Sequence, residues 1–371
     1  MKRRRKLLLS AAFAGAAISA GILVLKFWKP LGGQLEGERL NTIRRSPHWR
    51  DGKFRNLIPT TKGDILRSIY LQFSGNQVRV PPEEIPIHRL TARDLGEAGE
   101  LRAVWIGHSS TIVDVDGVRF MTDPIWSERC SPFESMGPKR FHPPPIALAD
   151  TGRVDAVVIS HDHYDHLDMP TVQALAARGT TFFVPLGIGA HLERWGVPRA
   201  QFRELDWNEE AELRGVRFVA LPARHYSGRG VKQDVTEWAS WAVIGPRHRV
   251  YFSGDTGYFD EFKRIGEQHG PFDLTLLKIG AYGETWPEIH ITPEEAVQTH
   301  LDVRGKLMLP LHWATFNLGF HDWYEPAERL VKAASGRIAF TTPRPGEIVT
   351  PEQPPTSYWW RWRRVQYGRR P

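Results

Sequence analysis

From about residue 101 onward the chain alternates short apolar, β-branched runs with longer segments of helical periodicity. The runs 101–106, 111–116, 118–121, 155–159, 181–184, 216–221, 238–244, 249–252, 274–279 and 307–310 have the length and composition of strands. Segments 169–178, 258–268 and 326–335 read as helices between them. Another helix starts at Thr292-Pro293-Glu294-Glu295. Threonine can cap the first turn, proline fits its start, and the glutamate at the third position can return a hydrogen bond. Strands in groups with helices between them predict an α/β architecture of sheets covered by helices. Residues 26–100 have little periodicity, and Pro81-Pro82 with Glu83-Glu84 mark irregular chain. The pattern divides the chain into an apolar N-terminal segment (1–28), an extension that wraps a core (29–100), the core domain (101–350) and a tail (351–371).

Residues 7–25 carry no charge and follow a basic cluster, Lys2 to Lys6. As a helix this segment would span about 28 Å, close to a bilayer core of roughly 30 Å. One reading is a cleaved signal peptide, with Ala-x-Ala-like sites at 14–16 and near Ser19-Ala20. An uncleaved anchor is favoured, because apolar residues continue through Leu25. A buried core helix is disfavoured, since no charge supplies a solvent face. The basic cluster predicts a cytoplasmic N-terminus and a body on the far side of the membrane, periplasmic in a Gram-negative cell. Arg4-Arg5 is a weak twin-arginine signal. At the other end, Tyr358-Trp359-Trp360-Arg361-Trp362-Arg363-Arg364 has the composition of a headgroup-layer contact, although a tail without a partner fits equally.

Composition narrows the class. Of 371 residues, 41% are hydrophobic and 25% charged, which excludes a mostly disordered chain. A single cysteine, Cys130, excludes internal disulfides and zinc sites built from several cysteines, and reads as a packing residue. The net charge is +7, but two acid-free ends supply five positive charges each, so the rest of the chain carries −3. That charge argues against a nucleic-acid partner, for which a basic surface is expected.

The chemistry concentrates in Ser160-His161-Asp162-His163-Tyr164-Asp165-His166, at the end of an apolar run. Imidazole and carboxylate suit zinc, and four ligand-type residues within six positions hint at two ions. Distant partners also follow strand-like runs: His225 after 216–221, Asp255 within Gly254-Asp255-Thr256-Gly257, and His312 within Leu311-His312-Trp313.

Taken together, this order of motifs resembles the signature of the metallo-β-lactamase-fold hydrolases. Within them the chain is similar to N-acylphosphatidylethanolamine-hydrolysing phospholipase D and its bacterial relatives over roughly residues 100–335. Gly137-Pro138-Lys139-Arg140-Phe141 and Ile279-Gly280-Ala281-Tyr282 carry the narrower likeness, with Met121-Thr122-Asp123-Pro124 and His312-Trp313-Ala314-Thr315-Phe316 beside them. The resemblance implies an αββα sandwich of the metallo-β-lactamase fold, here with an N-terminal membrane segment. It implies two Zn2+ ions, one held by His161, His163 and His225 and the other by Asp165, His166 and His312, with Asp255 bridging. Other divalent metals could replace zinc.

The expected reaction is attack of a metal-bridging hydroxide on the phosphorus of a phospholipid, releasing N-acylethanolamine and phosphatidic acid. Asp165 and Asp255 then belong to the catalytic set. His290 is a candidate proton donor to the leaving alkoxide or phosphate contact, with a loop-orienting role as its rival. His108 is weighed as a residue behind the ligands against a satisfied structural histidine, and the latter is favoured. Tyr282 and Trp286 are candidates for substrate contact. The loop 283–288 is more acidic than the family pattern, which leaves the lipid preference open. The expected partners are the phospholipid, a membrane surface met by both ends of the chain, and a second copy in a homodimer. The rivals are a hydrolase of a soluble ester, lactone or phosphodiester, and a membrane protein with purely structural zinc. Structural zinc sites are closed, so the ligand count disfavours the latter.

Overall fold

The computed structural model describes residues 28–361 apart from 62 and 231. The apolar segment 7–25 and residues 362–371 of the tail lie outside them. Among the described residues no helix is long and apolar enough to cross a membrane.

Two seven-stranded mixed sheets face each other. In the first, Ile348–Val349, Leu101–Gly107, Ser110–Val115 and Val118–Thr122 pair antiparallel, and Ala156–Val158, Thr181–Pro185 and Phe202–Leu205 continue in parallel. In the second, Glu210–Leu213, Val216–Leu221, Ser240–Ile244 and Arg249–Phe252 are antiparallel, and Phe272–Lys278, Gly305–Leu311 and Ala339–Phe340 are added in parallel. The inner strands are buried on both faces, so apolar and β-branched residues dominate them, and Arg119 and Asp114, charged residues on neighbouring strands, pair with each other. Phe120, Phe183 and Phe218 meet across the sandwich, with Phe183 stacked on Phe218 at 4.2 Å.

Helices cover the outer faces. Met169–Ala176 packs Val172 and Leu175 with Val157 and Phe182 of the first sheet. On the second, Glu261–His269, Pro293–Asp302 and Glu325–Ala334 bring Ile265, Val297 and Ala327 into the main core. The capping box at Thr292 forms: Glu295 N donates to the hydroxyl and the Glu295 carboxylate accepts from Thr292 N.

The N-terminal extension packs on this body through Ile43, Phe54 and Ile85. The tail departs from expectation. Trp359 and Trp360 are buried in the core, not placed for a headgroup layer. The Trp359 ring stacks on Trp313 at 5.1 Å, Trp313 stacks on Trp105, and Trp360 Nε1 donates to Glu328. The packed body therefore runs past residue 350 to Arg361, which pairs with the same Glu328.

Candidate metal centre

The central parallel strands of each sheet point the same way, so their C-terminal ends share one edge of the sandwich. His108, Asp123 and the loop 160–166 leave the first sheet there, and His225, Asp255, Lys278 and His312 leave the second. Non-glycine residues with left-handed backbone gather at this edge: His108, Asp123, Ala281, His312 and Ala314. Such conformations are costly and persist only where the surroundings enforce them. One restraint is a cross-sheet bond, in which His312 N donates to His108 O. Gly254, at φ +54°, has no room for a side chain, since a Cβ would stand 2.5 Å from Ser160 Cβ.

Four overlapping groups of potential metal ligands result. Asp123 with His161 and His166, and His225 with Asp255 and His290, form two of them, and the other two draw on both sheets. In one, His161 Nε2 lies 2.8 Å and His225 Nε2 3.4 Å from His163 Nδ1. In the other, Asp165 Oδ2 faces Nε2 of His108 at 3.0 Å, His166 at 3.3 Å and His312 at 3.6 Å. Asp255 Oδ2 stands between the groups, 3.1 Å from His312, 3.5 Å from His166 and 4.0 Å from His225. His290 Nε2 is 3.2 Å from the same oxygen, while its Nδ1 lies 2.6 Å from the Ala281 carbonyl.

The residues fit divalent ions. Among the described residues His166 Nε2, His312 Nε2 and Asp255 Oδ1 are buried without a hydrogen-bond partner, although polar atoms in a protein interior are normally paired. His312 Nδ1 has no partner among the described residues, whereas in three of the candidate ligand histidines the opposite ring nitrogen is anchored: His161 Nδ1 by Ser160, His166 Nδ1 by Asp123 at 2.6 Å, and His225 Nδ1 by the Ile289 carbonyl. That arrangement fixes the tautomer and aims Nε2 inward.

Protonation follows suit. Burial and the neighbouring imidazoles hold His161 well below the usual histidine range. Burial also lowers His225, against the pull of Asp255. Burial alone would raise Asp255, but His312, Lys278, His166 and His290 outweigh it and keep the carboxylate ionised. Neutral imidazoles and ionised carboxylates are the states that bind metal. His166 is the exception: despite burial, Asp255, Asp165 and Asp123 hold it well above the usual range, where a metal ion would displace the proton.

All seven candidate ligands thus come to one edge, and His108 joins the Asp165 group instead of standing apart as a structural histidine. Tyr282 does not reach the cluster. Its hydroxyl donates to Glu325 and its ring stacks on His321. Trp286 donates to the Ala281 carbonyl and packs on Phe320, behind the loop that carries His290.

Three residues had no role assigned from sequence. Asp123 accepts from Ser160 N and from His166 Nδ1, and its signal is Thr122-Asp123-Pro124 closing a strand. Asn56 of the extension bonds both backbone groups of His225, with no local signal. Lys278 ends a buried strand, and a lysine closing an apolar run was the available clue. Burial pulls its ammonium down to about 8, with Asp255 as the opposing support.

A sandwich of two mixed sheets with His/Asp clusters at one strand edge defines a metallohydrolase of the metallo-β-lactamase type. The family model described as "Beta-lactamase superfamily domain" matches residues 118–313. N-acyl-phosphatidylethanolamine-hydrolyzing phospholipase D 1 of Caenorhabditis elegans is 39% identical over 303 residues, 76% of this chain and 85% of the relative. An uncharacterised protein of Mycobacterium tuberculosis is 46% identical over 370 residues, 96% of this chain and 99% of its own length. Among solved structures, Igni18, a metallo hydrolase of Ignicoccus hospitalis, is similar with TM-score 0.51 and 26% identity, covering 67% of this chain and 97% of that one. The chain belongs to the metallo-β-lactamase superfamily and is a metal-dependent hydrolase.

Proposed function

We propose that this hydrolase is a zinc-dependent, phospholipase D-type phosphodiesterase acting on N-acylphosphatidylethanolamine, from which it releases N-acylethanolamine and leaves phosphatidic acid. The observation that carries the reading is Asp255 Oδ2, one carboxylate oxygen within 4.0 Å of ligand nitrogens from both groups. Two divalent ions held there would acidify a water and stabilise charge on the phosphoryl and leaving oxygens.

The chain's own residues do the rest. His161, His163 and His225 would hold one ion, Asp165, His166 and His312 the other, and Asp255 would join them. Asp123 and Ser160 keep His166 and His161 turned inward. His290, fixed by the Ala281 carbonyl, presents Nε2 to the shared oxygen, where it can contact a phosphoryl oxygen or the leaving group.

An amphiphilic substrate is supported by the entrance. Helix Ile65–Phe73 contains no buried residue, and its face bears Ile65, Leu66, Ile69, Tyr70 and Phe73, the last 88% exposed. A contiguous exposed apolar face of this kind marks an interaction surface. The helix is seated on the loop leading to His290: Ser68 donates to Thr285, and Arg67 pairs with Glu284. A groove of about 570 Å³ runs from Gln72 and Val80 past Pro138 to Phe141. Phe141 and Asn317 also line the small cavity that reaches His108 and His312. Residues 7–25, as an anchor, would hold this entrance at a membrane, with the body on the extracytoplasmic side.

The test is mass spectrometry of products from zinc-loaded protein and N-palmitoyl-phosphatidylethanolamine in detergent, with a chelated control. Chelator-sensitive release of N-palmitoylethanolamine and phosphatidic acid is expected. No release from protein carrying two zinc ions would overturn the lipid assignment and move the search to soluble phosphodiesters, esters and lactones.

A further inference from the structure

Lys278 is the last residue of the strand Phe272–Lys278 and is 1% exposed. Its ammonium makes no hydrogen bond to the described residues. A buried ammonium without a hydrogen bond is costly, and the Asp255 carboxylate is its ion-pair partner. Nζ lies 3.4 Å from Asp255 Oδ2, the oxygen that also faces His312, His290, His166 and His225. The cation therefore stands at the junction of the two ligand groups, not behind one of them.

Charge balance gives this position a meaning. Asp123, Asp165 and Asp255 bring three negative charges to the centre. Two divalent ions would bring four positive ones, and Lys278 adds a fifth. The loaded centre keeps an excess of positive charge that its own side chains do not cancel. Neutral substrates cannot supply the missing charge, whereas a phosphoryl group can.

We propose that Lys278 turns the metal centre into an anion site: it places a fixed cation beside Asp255 to bind a negatively charged phosphoryl group, and so selects phosphate esters over neutral esters, lactones and lactams. The inference rests on the metal-centre reading of the proposed function but not on the identity of the lipid. Lys278 is assigned to substrate selection; no proton is moved by it.

The probe is inorganic phosphate, titrated calorimetrically into zinc-loaded wild-type protein and Lys278→Met, with metal content measured on both. Replacing a buried charge by an apolar chain of similar volume is commonly tolerated, so the variant is expected to fold. Lys278→Gln is the second variant if it does not. The expected result is equal zinc content and phosphate binding weakened about tenfold or more, the loss of one charge-assisted contact. Unchanged phosphate affinity at equal zinc content would overturn the proposal. Loss of zinc from either variant would also overturn it, since Lys278 would then serve the ligand Asp255 and not the anion. If phosphate binding depends on Lys278 while N-palmitoyl-phosphatidylethanolamine is not cleaved, the lipid assignment fails and the anion site stands.

Discussion

Replacing Asp255 by asparagine keeps the side chain's shape and removes its charge. Because its Oδ2 is shared between both ligand groups, Asp255→Asn is expected to lose at least one zinc equivalent and nearly all hydrolysis. Full activity with both metals retained would refute the sharing. Asp123 tests the support of the ligands, since it holds His166 Nδ1, the ring nitrogen opposite the one that faces Asp165 and Asp255. Asp123→Asn is expected to weaken zinc binding by about 10–100-fold, read by competition with a chelating dye. Affinity equal to wild type would mean that His166 needs no anchor. His300, far from these ligands, carries a pH dependence. Burial lowers it from the ordinary 6.5 to about 4, and its Nδ1 lies 2.7 Å from Thr275 Oγ1. Between those values the unfolded imidazole binds a proton that the folded one refuses. Stability therefore falls as pH drops through 6.5, and the loss is complete below about 4. His300→Gln should flatten the dependence of Tm on pH in that window, and an unchanged slope would assign the acid sensitivity to other groups.

At the scale of elements, the Trp105–Trp313–Trp359 stack joins the chain's last described segment to the residue that follows His312. Trp359→Ala should cost about 3–5 kcal/mol in urea unfolding, as large aromatic truncations in a core do. A loss below about 1 kcal/mol would show that the stack is dispensable. This segment also marks where sequence reasoning stopped. Tryptophan next to arginine suits a headgroup layer and a core edge equally, and the deciding partner, Trp313, is 46 residues away. The ten inner strands were legible because burial on both faces leaves runs dominated by apolar and β-branched residues. Phe202–Leu205 and Glu210–Leu213 were not: Glu210–Leu213 lies at a sheet edge with exposed glutamates, and Arg203 interrupts the other. The two-residue strands Ala339–Phe340 and Ile348–Val349 exist only through distant pairing. Helix Ile65–Phe73 was hidden within chain of weak periodicity, and its apolar face turns to solvent instead of the core. The His161–His166 cluster was legible because its chemistry is local. Asn56 and Asp123 act across 169 and 43 residues, a separation that no local pattern encodes.

For the whole molecule, the exposed face of Ile65–Phe73 sets the relation between lipid binding and chemistry. A Leu66→Ser, Phe73→Ser double variant removes two of its most exposed apolar side chains, which touch no metal ligand. It should weaken sedimentation with phospholipid vesicles while leaving Tm and turnover of a short-chain soluble phosphodiester unchanged. A parallel fall in both activities would show that the helix supports the site itself. Two of the candidate ligand groups have a further consequence, because they draw on both sheets: His161 and His163 with His225, and Asp165 and His166 with His312. An ion held by either of these two groups would be a staple across the sandwich, since neither half carries the full ligand set of either one. On the ribosome six of the first sheet's seven strands, with His161, His163, Asp165 and His166, emerge well before His312 is made. With metal held by these two groups, uptake would wait for the second half, a stalled or truncated chain would be a poor chelator, and metal uptake would mark the nascent proteins that have closed their fold.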